Sequence, residues 1–234
     1  MGKRCFAVLP AAGIGQRMGA DVPKQYLEIH GRSLLEYSLG ALLDCDAVAC
    51  VALVLHPQDA HASALPLLRD PRVISAVGGA ERSDSVLAGL NALSVEADDD
   101  DWVLVHDAAR PCLQADDVQR LVDVVTGNGE GGILAQPIVD TVKQATADGL
   151  VKATLDRSRL WRAQTPQMFR LGELREALTA AQAEELPVTD EASAMELAGH
   201  PVQLIEGPAS NLKVTVPEDL ALAAWYLALE GEQE

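Results

Sequence analysis

Aromatic residues are scarce, 3% of the 234-residue chain, so a core must be packed from smaller side chains. With 48% apolar residues, an Ala/Leu/Val core is the usual filling of a parallel sheet sandwiched by helices. Bases are scarce too. The 18 Lys and Arg face 35 Asp and Glu, a formal net charge of -17, which argues against nucleic acid or an anionic membrane surface as partner. The four cysteines, Cys5, Cys45, Cys50 and Cys112, form no C-x-x-C pair. They read as reduced core thiols of a cytoplasmic protein. The five histidines are scattered, and His56 and His61 stand five apart, so no zinc site is implied. Long apolar runs are missing as well: Ala47 to Leu55 and Leu220 to Leu229 cover about half a membrane span. No signal peptide precedes the first apolar run, and the expected location is the cytoplasm.

The opening carries most of the chemistry. Cys5 to Leu9 is an apolar strand that runs into Pro10-Ala11-Ala12-Gly13-Ile14-Gly15-Gln16-Arg17-Met18, with Pro23-Lys24 following. Glycines let backbone N–H groups approach phosphate oxygens, while Arg17 and Lys24 can neutralise charge that shifts during phosphoryl transfer. The dinucleotide fingerprint fails, because Met18 occupies the third glycine position and the second strand ends at His56 instead of an acid. The P-loop fails as well, since Gly19 is followed by Ala20. Two glycines alone would be an ordinary strand-to-helix turn; the added cations make the loop a polyphosphate site.

Along the chain, runs of strand length alternate with segments of helical period. Ser33-Leu34-Leu35-Glu36 has capping-box spacing, and Leu35, Leu39 and Leu42 then share one face of a helix. Strands are expected at 47–55, 73–77, 102–105, 132–136 and 202–205. Helices are expected at 58–68, from Ser83-Asp84 through Leu93, and at 116–125, 171–183, 191–198 and 217–229. Strands alternating with helices give a mostly parallel sheet covered on both faces, with ligands at the carboxyl ends of its strands. The Gly13 loop, Gly78-Gly79 and Asp107 to Arg110 all fall there. Pro137 to Trp161 breaks the pattern with two strand-like runs around Asp148-Gly149, a hairpin signal. A lone two-stranded hairpin is marginal, so this arm is expected to pack on a second subunit of a single-domain chain.

Blocks spread over nearly the whole length resemble the 2-C-methyl-D-erythritol 4-phosphate cytidylyltransferase family. They are Pro10 to Met18 with Pro23-Lys24-Gln25-Tyr26, Gly78-Gly79-x-x-Arg82-x-x-Ser85-Val86, Val105 to Pro111, Asp140-Thr141-Val142-Lys143, Asp156-Arg157, Gln164-Thr165-Pro166-Gln167, Thr189 to Ala192 and Asn211 to Thr215. The resemblance implies a three-layer α/β/α Rossmann-like nucleotidyltransferase fold with a protruding β-hairpin arm. It implies that CTP is held by Pro10, Ala11, Ala12, Gly13, Ile14, Gly15, Arg17, Lys24, Gly79, Ala80 and Ser85, with cytosine read by main-chain groups and the Ser85 hydroxyl. Many family members have an acid where this chain has Ala80. Methylerythritol phosphate would be bound by Asp107, Ala108, Arg110, Thr165 and Lys213, and by Thr141 and Arg157 from the arm of the other protomer of a homodimer.

Two readings of Asp107 stand side by side. A carboxylate at a strand end beside polyphosphate is a candidate Mg²⁺ ligand. The resemblance instead makes it a substrate contact, with Mg²⁺ resting chiefly on the triphosphate. The implied reaction is in-line attack of the substrate phosphate on the α-phosphorus of CTP, with Arg17, Lys24, Arg157 and Lys213 as catalytic cations and no general base. Alternatives are a ribitol 5-phosphate cytidylyltransferase and a non-catalytic nucleotide-binding module. A sugar-transferring enzyme would normally show D-x-D where this chain has Asp107-Ala108-Ala109.

Overall fold

The computed structural model describes residues 4–13 and 22–231. Its main sheet is built from β1 (Cys5–Ala11), β4 (Val48–Leu55), β5 (Val73–Val77), β6 (Trp102–Val105), β7 (Gly132–Pro137), β10 (Trp161–Arg170) and β11 (Gln203–Glu206). Across the sheet the order is β11-β7-β10-β6-β1-β4-β5. Only β10 runs against the others, pairing antiparallel with both β6 and β7. The expected mostly parallel α/β sheet is therefore present.

Alternation along β1 shows how the sequence makes three layers. Cys5, Ala7 and Leu9 point to one face, where α1 (Leu34–Leu43) and α3 (Ala115–Asn128) supply Leu35, Leu39, Leu42, Val118, Leu121 and Val125. Phe6 and Val8 point to the other, against Val86 and Leu90 of α2 (Arg82–Leu93), Leu174 and Leu178 of α4 (Leu171–Ala183), and Met195 of α5 (Glu191–Leu197). Period two in the strand and near 3.6 in the helices thus meet in a core on each face. All four cysteines are buried, Cys5, Cys45 and Cys50 in these two cores, and burial pushes the Cys5 thiol up to about 12.

Caps set the helix starts. Ser33 Oγ accepts from the Glu36 N–H at 3.2 Å while Glu36 Oε2 accepts from the Ser33 N–H at 3.0 Å, the capping box read from the sequence. The helix α3 ends at Gly129, whose φ of 77° places it in the left-handed region that glycine tolerates. A small hairpin of β2 (Glu28–Ile29) and β3 (Arg32–Ser33), not expected from the sequence, packs Ile29 with Leu34, Cys112, Val214 and Ala223, the last on α6 (Pro217–Gly231).

Two expectations need correction. The segment expected as a helix at 58–68 is instead two 3-10 turns, Ala62–Ala64 and Pro66–Arg69. Pro66 has no N–H and disfavours helical backbone in the residue before it; Leu65 is extended, with ψ of 124°. The strand β10 was not foreseen. It carries Pro166 in a register irregularity between Ala163 and Gln167, and an internal proline argues against a central strand.

The arm is a hairpin as expected, formed by β8 (Val142–Ala145) and β9 (Val151–Leu155). Its tip is a turn from Thr146 to Gly149 followed by a left-handed Gly149 at φ 83°, the three-residue type with a bulge. Val139, Leu150, Val151 and Leu155 are exposed on and beside it.

Gly89 lets α2 lie directly on the sheet: a Cβ there would stand 2.4 Å from Val8 Cγ1 and 3.0 Å from Val54 Cγ2. Both valines are fully buried and have no free rotamer to yield. Alanine would gain about 1 kcal/mol of helix propensity but incur overpacking of roughly 1–3 kcal/mol. Gly89→Ala should therefore lower the urea midpoint, and a higher midpoint would show that the Val8 methyls give way.

Candidate active site

The carboxyl ends of β1, β5 and β6 open into one cleft with two lobes that share Arg82, Asp107 and Lys213. The first lobe is lined by Pro10, Ala11, Ala12, Gly13, Lys24, Gly79, Ala80, Ser85 and Ala108, all expected from the sequence, and by Gln25 and Glu81. Ile14, Gly15 and Arg17 lie outside the described residues. The second lobe brings in Arg110 and Thr165, also expected, with Gln164, Gln167, Thr189 and Asp190. Thr141 and Arg157 line neither lobe of their own chain; both are exposed, and an Arg157 Nη donates to the carbonyl of Val139 beside the arm.

Close approach builds the first lobe. A Cβ on Gly78 would stand 2.5 Å from Ala12 Cβ and 2.7 Å from Ser85 Oγ, so glycine is what lets the two loops meet. Gln25, in a 3-10 turn with Lys24, donates from Nε2 to the carbonyl of Ala11 at 2.7 Å and ties the end of β1 to that turn. Ser85 is buried on the first turns of α2, its hydroxyl 3.3 Å from the Glu81 carbonyl.

The second lobe is organised by charge. Asp107, just beyond β6, takes Arg82 on Oδ1 at 3.0 Å and Lys213 on Oδ2 at 2.8 Å, with Arg110 Nε 3.8 Å away. Behind Arg82 stands Glu191, 1% exposed, gripped through both guanidinium Nη atoms at 2.5 and 3.0 Å. Burial alone would raise the Asp107 carboxyl, but the charges of Arg82, Lys213 and Arg110 outweigh it and hold the group far below the ordinary carboxylate range. Burial lowers Arg82 too, and Glu191 with Asp107 reverse that and raise it. Burial lowers Arg110 despite Asp107. Backbone bonds stitch the same region together. Arg110 Nη1 donates to the Asn211 carbonyl at 2.8 Å, Asn211 Nδ2 to the Thr165 carbonyl at 2.7 Å, and Val214 N–H to the Ala109 carbonyl at 2.8 Å.

Both Asp107 oxygens already face cations, which counts against the carboxylate as a direct metal ligand. The charge balance favours a substrate contact. Arg82, Glu191 and Gln25 stand within the sequence blocks, but spacing alone assigns them no role. Arg82 opens α2, where a cation opposes the helix dipole, and that misplacement was the available signal.

His106 follows β6 and is fully buried; desolvation pushes its imidazole down to about 4. A folded pKa below the unfolded value of about 6.5 means the unfolded chain binds the extra proton between the two. This contribution to stability is complete above pH 6.5 and is lost as the pH falls towards 4, amounting to about 2 kcal/mol by pH 5. Urea unfolding at pH 7 and pH 5 should show that loss, and equal stabilities would mean that the ring protonates freely in the native state.

Comparison with known proteins agrees with this geometry. A family model described as IspD, 2-C-methyl-D-erythritol 4-phosphate cytidylyltransferase, matches residues 5–229. The chain is 52% identical over 226 residues to the protein of that name from Ectopseudomonas mendocina, covering 94% of each chain. It is 46% identical over 228 residues to the one from Vibrio vulnificus strain CMCP6, covering 97% of this chain and 96% of that one. The crystal structure of the Francisella tularensis protein superposes with a TM-score of 0.81 at 36% identity, over 95% of this chain and 99% of that one. A sheet order with one reversed strand, a cleft at its strand ends and relatedness over nearly the full length lead to one conclusion: this chain belongs to the 2-C-methyl-D-erythritol 4-phosphate cytidylyltransferase family.

Proposed function

We propose that this chain transfers CMP from CTP to 2-C-methyl-D-erythritol 4-phosphate, releasing pyrophosphate. The observation that carries the reading is the convergence of Lys24, Arg82, Arg110 and Lys213 on one cleft in a chain of net charge -17. Cations gathered against such a background imply an anionic ligand. The glycine-lined lobe suits the nucleotide, and the lobe with Asp107, Thr165 and Arg110 suits the polyol phosphate.

The chemistry needs no base. A phosphate monoester with a second pKa near 6 is already ionised at neutral pH. One of its oxygens forms a bond to the α-phosphorus of CTP as the bond to the β-phosphate oxygen breaks, and the electron pair leaves on pyrophosphate. Lys24 stands where it can stabilise charge on the triphosphate, and Lys213 and Arg110 line the lobe of the incoming phosphate. Mg²⁺ would travel with the triphosphate oxygens, since Asp107 does not offer it a site. The protein is read as cytoplasmic.

A homodimer fits the arm. Val139, Leu150, Val151 and Leu155 lie exposed on or beside a hairpin that no layer covers among the described residues, and Arg157 lines neither lobe described above. A partner's cleft gives both an occupant.

Purified protein incubated with CTP, Mg²⁺ and either methylerythritol phosphate or ribitol 5-phosphate should release pyrophosphate with the former; turnover of ribitol 5-phosphate alone would reassign the substrate. Lys24→Ala should lower kcat roughly a hundred- to thousandfold with a smaller effect on the KM for CTP. The reverse pattern would make Lys24 a ground-state contact. Mixing Lys24→Ala with Arg157→Ala subunits under exchange should restore activity towards half per mixed dimer, because one site then carries both defects and the other neither. Parental activity after confirmed exchange would show that each arm serves its own subunit.

A further inference from the structure

The imidazole of His106 touches two groups. Its Nε2 lies 3.3 Å from the carbonyl oxygen of Arg110, and its Nδ1 lies 3.0 Å from Thr165 Oγ1. A carbonyl oxygen can only accept, so the ring proton sits on Nε2. The ring is fully buried and carries one proton near neutral pH, which leaves Nδ1 a bare acceptor. The Thr165 hydroxyl must then donate to Nδ1. The same oxygen already accepts the backbone N–H of Asp107 at 3.0 Å. A hydroxyl has one proton and two lone pairs, so Thr165 is left with one lone pair and no proton to give.

We propose that His106 is a positioning residue that fixes the Thr165 hydroxyl as a pure acceptor. Thr165 then takes a hydrogen bond from a hydroxyl of the polyol and gives none to a phosphate oxygen. The inference rests on the reading of the second lobe as the polyol phosphate site, which Thr165 lines. It sorts the lobe by polarity. Phosphate oxygens are pure acceptors and must go to Lys213 and Arg110, while a hydroxyl can satisfy Thr165. His106 also holds the far end of the Asp107–Arg110 turn through the Arg110 carbonyl, while Thr165 holds the near end through the Asp107 N–H; the turn's own bond runs from Arg110 N–H to the Asp107 carbonyl at 3.0 Å. Without Nδ1 the threonine proton would be free to turn towards the lobe, and the match to a donating hydroxyl would be lost.

The test is a double-mutant cycle read on KM. Thr165→Val should raise the KM for methylerythritol phosphate about three- to tenfold, the loss of one hydrogen bond, with the KM for CTP unchanged. His106→Leu should do the same, and His106→Asn, whose Oδ1 can replace Nδ1 as acceptor, should recover most of the loss. On the KM for methylerythritol phosphate the H106L/T165V double variant should be no worse than the worse single variant, because the histidine reaches that substrate through the threonine. Effects that multiply, or an equal rise in the KM for CTP, would overturn the proposal. Should His106→Leu fail to fold, the unmodified protein still decides. Nitrogen-15 NMR of the His106 ring at pH 7 should show the Nε2–H tautomer; a proton on Nδ1 would overturn it. An unmodified protein that is inactive with CTP and methylerythritol phosphate would refute the functional reading instead, whatever the tautomer.

Discussion

The Asp107 carboxylate is the point on which the site hangs, because three other segments and its own turn are tied to it. Arg82 arrives from the start of α2, Lys213 from the loop after β11, Arg110 from the turn after β6, and Glu191 joins through Arg82 from α5. Charges taken out of water incur several kcal/mol each after relaxation, and mutual attraction repays this only where partners and geometry are complete. Here Arg82 is satisfied on both sides, and its side chain keeps 31% exposure at the cleft. Such a cluster adds little net stability compared with an apolar packing of the same shape. It does fix where Lys213 and the Asp107 oxygens stand, and removing Arg82 would strip the buried Glu191 of the guanidinium that faces it.

The acidic balance of the whole chain works with this cluster. Thirty-five carboxylates against 18 bases set a negative background that would repel a triphosphate and a second phosphate alike. Concentrating cations at the strand ends reverses the field locally. Arg82 shows how far this goes: it occupies the first position of α2, where the helix dipole disfavours a cation by a few tenths to 1 kcal/mol. Glu81 and Asp84 close that terminus, Asp84 Oδ2 accepting the Glu81 N–H at 3.0 Å, and Asp107 with Glu191 supply the rest of the compensation.

Elements whose pattern is local were readable from the sequence, and those decided by distant partners were not. Leu35, Leu39 and Leu42 declared α1, and Ser33 with Glu36 its start, because spacing and capping need only neighbours in the chain. The hydrophobic runs of β1, β4 and β6 were equally plain. By contrast β10 reads as broken at Pro166 and is a strand only because β6 and β7 flank it on both sides. The first lobe was legible in part in the same local way, since the Gly13 loop and Gly78-Gly79 stand at strand ends, while Ser85 came from the family resemblance. The Glu191–Arg82–Asp107 relay joins positions 25 and 109 residues apart, and no spacing rule links them. Thr141 and Arg157 are another case: the role proposed for them lies in a second subunit, and among the described residues of their own chain both are exposed on or beside the hairpin.

Phosphoryl transfer between two ionised phosphates asks a protein for position and charge, not for a proton shuttle. The cleft is built to that demand. Its nucleotide lobe is lined largely by backbone and small side chains, where Gly78 lets two loops meet at van der Waals distance. Its other lobe divides by polarity into cations, Lys213 and Arg110, and groups that can only accept, the Asp107 carboxylate and the Thr165 oxygen beside it. A ligand that carries a phosphate at one end and hydroxyls along its length meets both kinds of wall in the correct sense. One that presents a second anion where the hydroxyls belong faces a carboxylate and a lone pair. Such an anion finds no proton on Thr165, and the hydrogen bond left unmade there counts against it.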